Sequence, residues 1–434
     1  SIEGEVFFEK AYRALYATDG SHYEILPLGV VYPRHGGDIQ KVIELCAEER
    51  IPLIPRGGGT GLTGGAVGKG LVMDFTRYMN QLLEVDEAKR LARVQPGIIL
   101  DELNSQLQDY QLHWPIDTAT GNRAVIGGQI GNNSSGMSSL QYGLTLHHVE
   151  GLKSFLANGE SCYFHIQPGS SRGYQVYDLE ARVFRIVESL EGEIQRRTPT
   201  LLRKVGGYNL HALGPNKMGL AGLIIGSEGT LSILEEAFLR LSPKPLRRDL
   251  LVLAFPSLSQ ALEILPLLLS FHPTGIELLD EVILEKAKAS SSFRTYLSFL
   301  DSLTPALNQF PKALFIILQD GSSLEEQQEK INSILQGLEQ TKSSFSWGSF
   351  FEDSAKAQVV GLRKAALPLL LSGRMKAVTG VEDTAVSPEK LCSYIKEFQD
   401  LLEKYNTHAS FYGHASVGCL HIRPFFELSH MSHR

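Results

Sequence analysis

Cysteine is scarce: Cys46, Cys162, Cys392 and Cys419 are the four in 434 residues, and none sits in a CxxC pair. That spacing excludes a disulfide framework and a cysteine-built zinc site, and it suits a reducing compartment. Long apolar runs are missing as well. Gly219 to Gly226 and Ala365 to Leu371 fall well short of the ~20 residues that cross a bilayer, so no transmembrane segment is expected. There is no basic excess either, because 41 Lys plus Arg stand against 48 Asp plus Glu, a formal net charge of −7. That balance argues against a dedicated nucleic-acid binder. Ser1 to Lys10 is acidic and lacks the basic segment and apolar stretch of a signal peptide, so a soluble chain is expected. No internal repeat or low-complexity tract is present.

What is present is a 43 % apolar composition over a length that suits two or three domains with sizeable cores. Glycine divides the chain. It is dense between Gly57 and Gly229, whereas Pro245 to Leu402 has few glycines and a helical pattern. Ile39, Val42, Ile43 and Cys46 recur at helical spacing in Asp38 to Arg50, and Ile51 to Pro55 reads as a short buried strand feeding a glycine loop. Val72 to Phe75, Ala92 to Gln95 and Leu220 to Ile225 are further predicted strands, and Ile99 to Gln108 a helix with Leu100, Leu103 and Leu107 on one face. From Leu250 strands are expected at 250–255, 274–279 and 313–318, with helices at 259–270 and 324–340. The fold class is therefore α+β, in two regions: 1–245, with an insertion at about 167–200, and 246–434.

Three clusters carry chemistry in the first region. Pro55-Arg-Gly-Gly-Gly-Thr-Gly-Leu-Thr-Gly-Gly65 holds six glycines in eleven residues directly after a strand. Glycine permits positive φ and close approach, and successive N–H groups make an anion nest suited to a pyrophosphate. No lysine follows as in a P-loop, and Ala66 to Val72 is a poor helix start for a Rossmann site. Ile126-Gly-Gly-Gln-Ile-Gly-Asn-Asn-Ser-Ser-Gly136 adds amides and hydroxyls fit to bond a polar heterocycle, and Gly226-Ser-Glu-Gly-Thr230 is the third cluster. The first cluster, six glycines beside Pro55 and Arg56, reads as a ligand loop rather than a surface turn, whereas the other two alone read as turns. In the second region, Phe411 to Pro424 places His414 and His421 seven apart. If the segment turns at Gly418, the imidazoles can converge on one divalent cation, though a bare histidine pair is more often structural.

Taken in order, these clusters resemble the FAD-linked oxidases of the vanillyl-alcohol oxidase and p-cresol methylhydroxylase (PCMH) superfamily. The closer similarity is to its D-2-hydroxyacid dehydrogenase branch of glycolate oxidase, D-lactate and D-2-hydroxyglutarate dehydrogenases, in the large members fused to an iron–sulfur region. Ala14-Leu-Tyr-Ala-Thr-Asp19, Val31-Tyr-Pro33, Val94-Gln-Pro-Gly97, Gly206-Gly-Tyr-Asn-Leu210 and Val381-Glu-Asp-Thr384 carry the rest of it. The resemblance implies a two-lobed PCMH-type FAD-binding domain followed by an α+β, ferredoxin-like cap. By the same resemblance Pro55, Arg56, Gly57, Gly58, Gly59, Thr60, Gly61, Leu62, Gly64 and Gly65 wrap the FAD pyrophosphate beside Pro96 and Gly97. Gly127, Gly128, Asn133, Ser134, Gly136, Tyr142 and Gly143 line the flavin, and Gly226, Glu228, Gly229 and Ile233 face the nucleotide end. Thr60 stands where covalently attached relatives have a histidine, which implies non-covalent FAD.

For the chemistry, the resemblance gives Arg363 as the clamp on a substrate carboxylate, where a planar fork binds bidentately. Without it Arg363 reads as an exposed helix charge. His414 and His421 become ligands of a divalent metal, Zn or Mn, and Tyr208 and Asn209 line the pocket. Glu382 and Asp383 read equally as a solvated turn. Asn133-Ser-Ser-Gly136 replaces the NSCG of close relatives, and Ser416, Val417 and Cys419 depart from the common Gly, Asp and Asn. The expected reaction takes a D-2-hydroxy acid of the lactate, 2-hydroxyglutarate or glycolate class to the 2-oxo acid by hydride transfer to flavin N5. Electrons then pass to an iron–sulfur region or partner, in the cytoplasm or peripheral to the inner membrane through that partner. Family members continue to a Ser-Gly-Glu-His-Gly motif that supplies a metal ligand and a base, and this chain has none by Arg434. A C-terminally incomplete cap is therefore expected; the alternatives are a catalytically silent FAD-binding subunit or scaffold, or a flavin enzyme for an alcohol or phenol.

Overall fold

The computed structural model describes residues 1–341, 343–372 and 376–426. Its chain divides into two compact units. The first comprises Ser1–Gly136, Leu144–Thr200 and Lys204–Lys244; the second comprises Met137–Gly143, Leu201–Arg203 and Pro245–Arg434. Among the described residues, no helix is long and apolar enough to cross a membrane.

Among the described residues the first unit has two main sheets and a two-stranded pair, Leu112–His113 with Ser242–Pro243. In one, Glu5–Phe7, Gly29–Tyr32, Leu71–Asp74 and Leu53–Arg56 lie in that order, the last three parallel. Parallel neighbours need a crossover, and the helix Gly36–Glu48 supplies it between Gly29–Tyr32 and Leu53–Arg56. Its stripe of Ile39, Val42, Ile43 and Cys46 is buried with Val31, Leu71 and Met73, as the 3.6-residue spacing requires. The second sheet is antiparallel, in the order Leu82–Asp86, Leu91–Val94, Ile233–Arg240, Val149–Phe155, Ser161–His165. Leu100, Leu103 and Leu107, from helix Leu100–Gln106 and its C-terminal end, pack there with Trp114, whose indole N–H donates to Gln129 Oε1 at 2.7 Å. The stretch 167–200 carries two helices, Val176–Ser189 and Glu191–Arg197.

One predicted strand is a helix. Leu220 to Ile225 forms a single turn, Ala221–Ile224, with Leu220, Ala221 and Ile225 almost wholly buried. A six-residue apolar run has no periodicity to separate a buried strand from a buried turn, and tertiary burial decided it.

The second unit is built on an eight-stranded sheet. Along it run Ser346–Phe350, Arg247–Phe255, Ala313–Gly321, Gly275–Asp280, Ala409–His414, Cys419–Phe426 and Lys376–Ala377, while Asp383–Ala385 also pairs with Cys419–Phe426. The first four, numbered as they occur in the chain, stand in the antiparallel order 4-1-3-2 with helical crossovers, the ferredoxin-like arrangement. Period-two alternation divides two cores. Leu251, Leu253 and Phe255 face the helix Leu324–Glu339 side, whereas Leu250, Val252 and Ala254 face the side of Glu281–Ala289 and Asp353–Lys364. A one-residue slip would exchange both faces, so the register is strongly held. The helix expected at 259–270 is two, Leu258–Glu263 and Leu265–Leu269. Pro266 has no N–H for the carbonyl of Leu262, which accounts for the interruption.

Candidate active site

In the first unit three glycine turns come together. Gly226 N–H donates to the Ile130 carbonyl at 2.9 Å and Glu228 N–H to Gly131 at 3.0 Å, which stitches the third turn to the helix Ile126–Asn132. Gly127 N–H donates to Pro96 and Gly97 N–H to Met79, both at 2.8 Å. The loop after Leu53–Arg56 is braced by Arg56 itself. Its guanidinium donates to the carbonyls of Thr18 at 2.9 Å and Ala66 at 3.1 Å and lies over the Tyr16 ring. The Arg56 side chain thus holds the loop shape, and the loop's backbone remains for an anion.

The glycines fall into two kinds. At Gly57, Gly58, Gly97, Gly127, Gly136 and Gly229 a Cβ would lie between 2.1 and 2.7 Å from a neighbouring protein atom, so the packing of the chain alone demands glycine. At Gly61, Gly65 and Gly128 the nearest atoms would be 3.7 to 3.8 Å away, which is ordinary contact. Internal packing does not require those three, whereas a ligand seated on the backbone would. Beside them Asn133 has its Oδ1 bonded to Leu146 N–H, but Asn133 Nδ2 and Ser135 Oγ are buried without a partner among the described residues. Buried polar groups are normally satisfied. Open backbone and unpartnered polar groups fit a polar heterocycle with an anionic tail.

Other expected flavin and pocket residues have assignable places. Pro55 packs against Gly229, and Thr60, Leu62, Gly59 and Gly64 lie in the braced loop, the last two at φ of 61° and 82°. Ser134 receives the Thr145 hydroxyl and N–H on its carbonyl, and Ile233 lies in the core of the first sheet. Tyr208 bonds Thr230 through its hydroxyl at 2.9 Å, and Asn209 Nδ2 donates to the carbonyls of Gly222 and Ile225, so both brace the Gly226 turn. Tyr142 and Gly143 belong to the second unit, where the Tyr142 hydroxyl donates to Asp320 Oδ2 at 3.2 Å.

The second unit carries the histidines, and sheet register places them. Ala409–His414 and Cys419–Phe426 form a hairpin that turns at Gly418, φ 70°. Tyr412 lies opposite His421, so His414 is the diagonal neighbour of His421 on the same face. Their ring centroids are 5.2 Å apart and perpendicular. On one side Glu277 faces His414 across the ladder; on the other, Asp383 faces His421. Each carboxylate takes the Nδ1 of its histidine, Glu277 Oε1 at 2.6 Å and Asp383 Oδ1 closer still. Arg363, from helix Asp353–Lys364, donates Nε to Glu277 Oε2 at 2.5 Å, and Arg203 donates Nη2 to Asp383 Oδ2 at 2.5 Å. Arg423 donates to Glu382 at 3.0 Å. Glu382 and Asp383 are therefore held as ion-pair partners by two arginines and a histidine, with the Asp383 side chain still 28 % exposed.

Electrostatics fix the protonation pattern. Burial would raise the Glu277 carboxyl, but Arg363 and His414 outweigh it and bring it down to about 2. Burial acts against Asp383 too, and His421 and Arg203 hold it well below the usual range. Burial lowers His421 to about 4, with Asp383 opposing, so its ring is neutral near pH 7. An ionised carboxylate can only accept, hence each Nδ1 donates its N–H, and in the neutral His421 ring Nε2 keeps its lone pair. This carboxylate–histidine arrangement is the one that orients metal-binding imidazoles. Two imidazoles are part of a cation site only, and among the described residues no group of three His, Cys, Asp or Glu is placed to hold one. Sequence reasoning missed Glu277, Arg203 and Arg423, which no local motif marks.

Residues 27–163 match the family described as FAD binding domain, and 244–434 the family described as FAD linked oxidases, C-terminal domain. The chain is similar to D-2-hydroxyglutarate dehydrogenase of Pseudomonas putida, 32 % identical over 98 % of this chain and 44 % of the relative. It is similar also to glycolate oxidase subunit GlcD of Bacillus subtilis, 30 % identical over 94 % of this chain and 75 % of that one. It spans less than half the length of the D-2-hydroxyglutarate dehydrogenases it matches. Among solved structures, alkyldihydroxyacetonephosphate synthase aligns with a TM-score of 0.70 at 19 % identity, covering 98 % of this chain and 74 % of that one. The 4-ethylphenol oxidase of Gulosibacter chungangensis aligns at 0.65 and 15 %, covering 99 % and 81 %; both share the fold. An FAD binding domain ahead of an oxidase C-terminal domain, in this order and on this fold, places the chain in the PCMH-type family of FAD-linked oxidases.

Proposed function

We propose that this chain is the flavin- and substrate-binding part of a dehydrogenase that oxidises a D-2-hydroxy acid to the 2-oxo acid. The observation that carries it is the face of the eight-stranded sheet on which two imidazoles sit between carboxylates and guanidiniums. A neutral alcohol or phenol does not need such cations, whereas a hydroxy acid does. The relatives named for 2-hydroxy acid oxidation support the same reading.

FAD, held non-covalently at the three glycine turns with Thr60 in place of an attachment histidine, supplies the hydride acceptor for C2. Asn133 Nδ2 and Ser135 Oγ, buried without partners among the described residues, are available to its ring. Arg363 is fixed through Nε by Glu277 and offers its remaining N–H groups to the substrate carboxylate. His414 and His421 offer Nε2 to a divalent cation, Zn or Mn. When bound, such an ion would polarise the C2 hydroxyl. Delivery of electrons to an iron–sulfur region or partner, in the cytoplasm or at the inner membrane surface, completes the proposal.

Calorimetric binding of 2-oxoglutarate and pyruvate to the FAD-loaded chain tests the clamp. Arg363→Met is expected to weaken 2-oxo acid binding by about tenfold or more, since a charge-assisted hydrogen bond contributes ~1.5–3 kcal/mol. Arg363→Lys is expected to recover only part, lacking the fork. Unchanged affinity in Arg363→Met would overturn the reading.

A further inference from the structure

Arg203 reaches the charged face from a three-residue segment, Leu201–Arg203, that belongs to the second unit although the chain on both sides belongs to the first. Its side chain is only 11 % exposed. Nη2 is bonded to Asp383, but Nε and Nη1 are buried and have no acceptor among the described residues. Asp383 is engaged on both oxygens, since Oδ1 takes the His421 ring, so it offers little to the other two nitrogens. Leaving a buried donor unpaired costs about 1–3 kcal/mol, more for a charged group. Two such donors on one anchored guanidinium need an explanation.

The arrangement around it supplies one. Arg363, Glu277 and His414 form one guanidinium–carboxylate–imidazole row; Arg203, Asp383 and His421 form a second, and the rows meet at the two imidazoles. One arginine stands at each end. Arg423 is a third buried guanidinium here, but Glu382 engages it and, among the described residues, its Nε alone lacks a partner.

Building on the function proposed above, we propose that Arg203 receives the second carboxylate of a dicarboxylic 2-hydroxy acid, while Arg363 holds the carboxylate next to the reacting carbon. Asp383 anchors the guanidinium, so little freedom is lost when an anion docks. A substrate of the lactate or glycolate class leaves Nε and Nη1 without acceptors in a desolvated setting, and a site built for a polar group discriminates strongly against an analogue that lacks it. The substrate class assigned is thus a 2-hydroxy dicarboxylate rather than a monocarboxylate.

The test compares 2-oxoglutarate with 2-oxopentanoate, which has the same chain length without the second carboxylate, by calorimetry on the full chain loaded with FAD. The wild type is expected to prefer the dicarboxylate by about tenfold or more. In Arg203→Met the preference is expected to fall to near unity, whatever loss the two ligands share, and Arg203→Lys is expected to keep part of it. Melting curves establish that each variant is folded; if Arg203→Met is not, the reduced ratio in Arg203→Lys decides. A wild type without preference, or an Arg203 variant that weakens both ligands while the ratio stays intact, would overturn the assignment. Loss of 2-oxo acid binding in Arg363→Met alongside an intact ratio in the Arg203 variants leaves the function standing and removes only this inference.

Discussion

Glu277 shows how much of the site depends on one residue. It is fully buried, accepts from Arg363 and His414, and is held at about 2 against an ordinary 4.5. A carboxyl depressed on folding stabilises the native state above its unfolded pKa, and that contribution is lost as pH falls toward the folded value. For the metal-free chain, Glu277→Gln is expected to lower stability near pH 7 by on the order of 3 kcal/mol, because Arg363 is left buried without its counter-charge. The gap between wild type and variant should then narrow as pH drops from about 4.5 toward about 2. Urea unfolding at a series of pH values measures it; a gap independent of pH would show that Glu277 is not ionised in the native chain. None of this was legible from the sequence, where Glu277 is a lone glutamate in an apolar strand, 137 residues from His414.

The hairpin of Ala409–His414 and Cys419–Phe426 is the element that makes the site. Its turn depends on Gly418, at φ 70°, where a Cβ would fall 1.8 Å from the Val386 carbonyl. Gly418→Ala is expected to destabilise the chain by more than ~1 kcal/mol through backbone strain and this contact. By displacing His414 relative to His421 it should also weaken binding of Zn(II) or Mn(II). Thermal melting and a metal titration check the two effects, and an unperturbed variant would contradict the register argument.

Other elements differ in how far sequence disclosed them. The helix Gly36–Glu48 was readable because four apolar residues fall on one stripe, and all four are buried. The seven-residue histidine spacing was readable as a hairpin once a glycine turn was supposed. Leu220 to Ile225 was not, having no period, and Arg203 and Asp383 were not, because their meeting depends on tertiary placement across 180 residues.

At the scale of the whole molecule, the glycine-rich and glycine-poor halves of the sequence correspond to two kinds of construction. The first unit uses glycine where backbones pack closely and where three turns leave open backbone beside unpartnered polar groups. The second uses a two-faced sheet, apolar on one side and interrupted on the other by a row of charges among leucines and alanines. A flavin family match over 27–163 and an oxidase match over 244–434 join those constructions to one chemistry. The measurement that tests it most directly is the anaerobic visible spectrum of the FAD-loaded chain mixed with D-2-hydroxyglutarate, D-lactate and glycolate in turn, with and without Zn(II) or Mn(II), and repeated with the full-length protein. The expected result is stoichiometric FAD binding and bleaching of the flavin by one of these acids, fastest with the dicarboxylate. A folded chain that binds no FAD, or a full-length flavoprotein that stays oxidised with all three acids, would contradict the account.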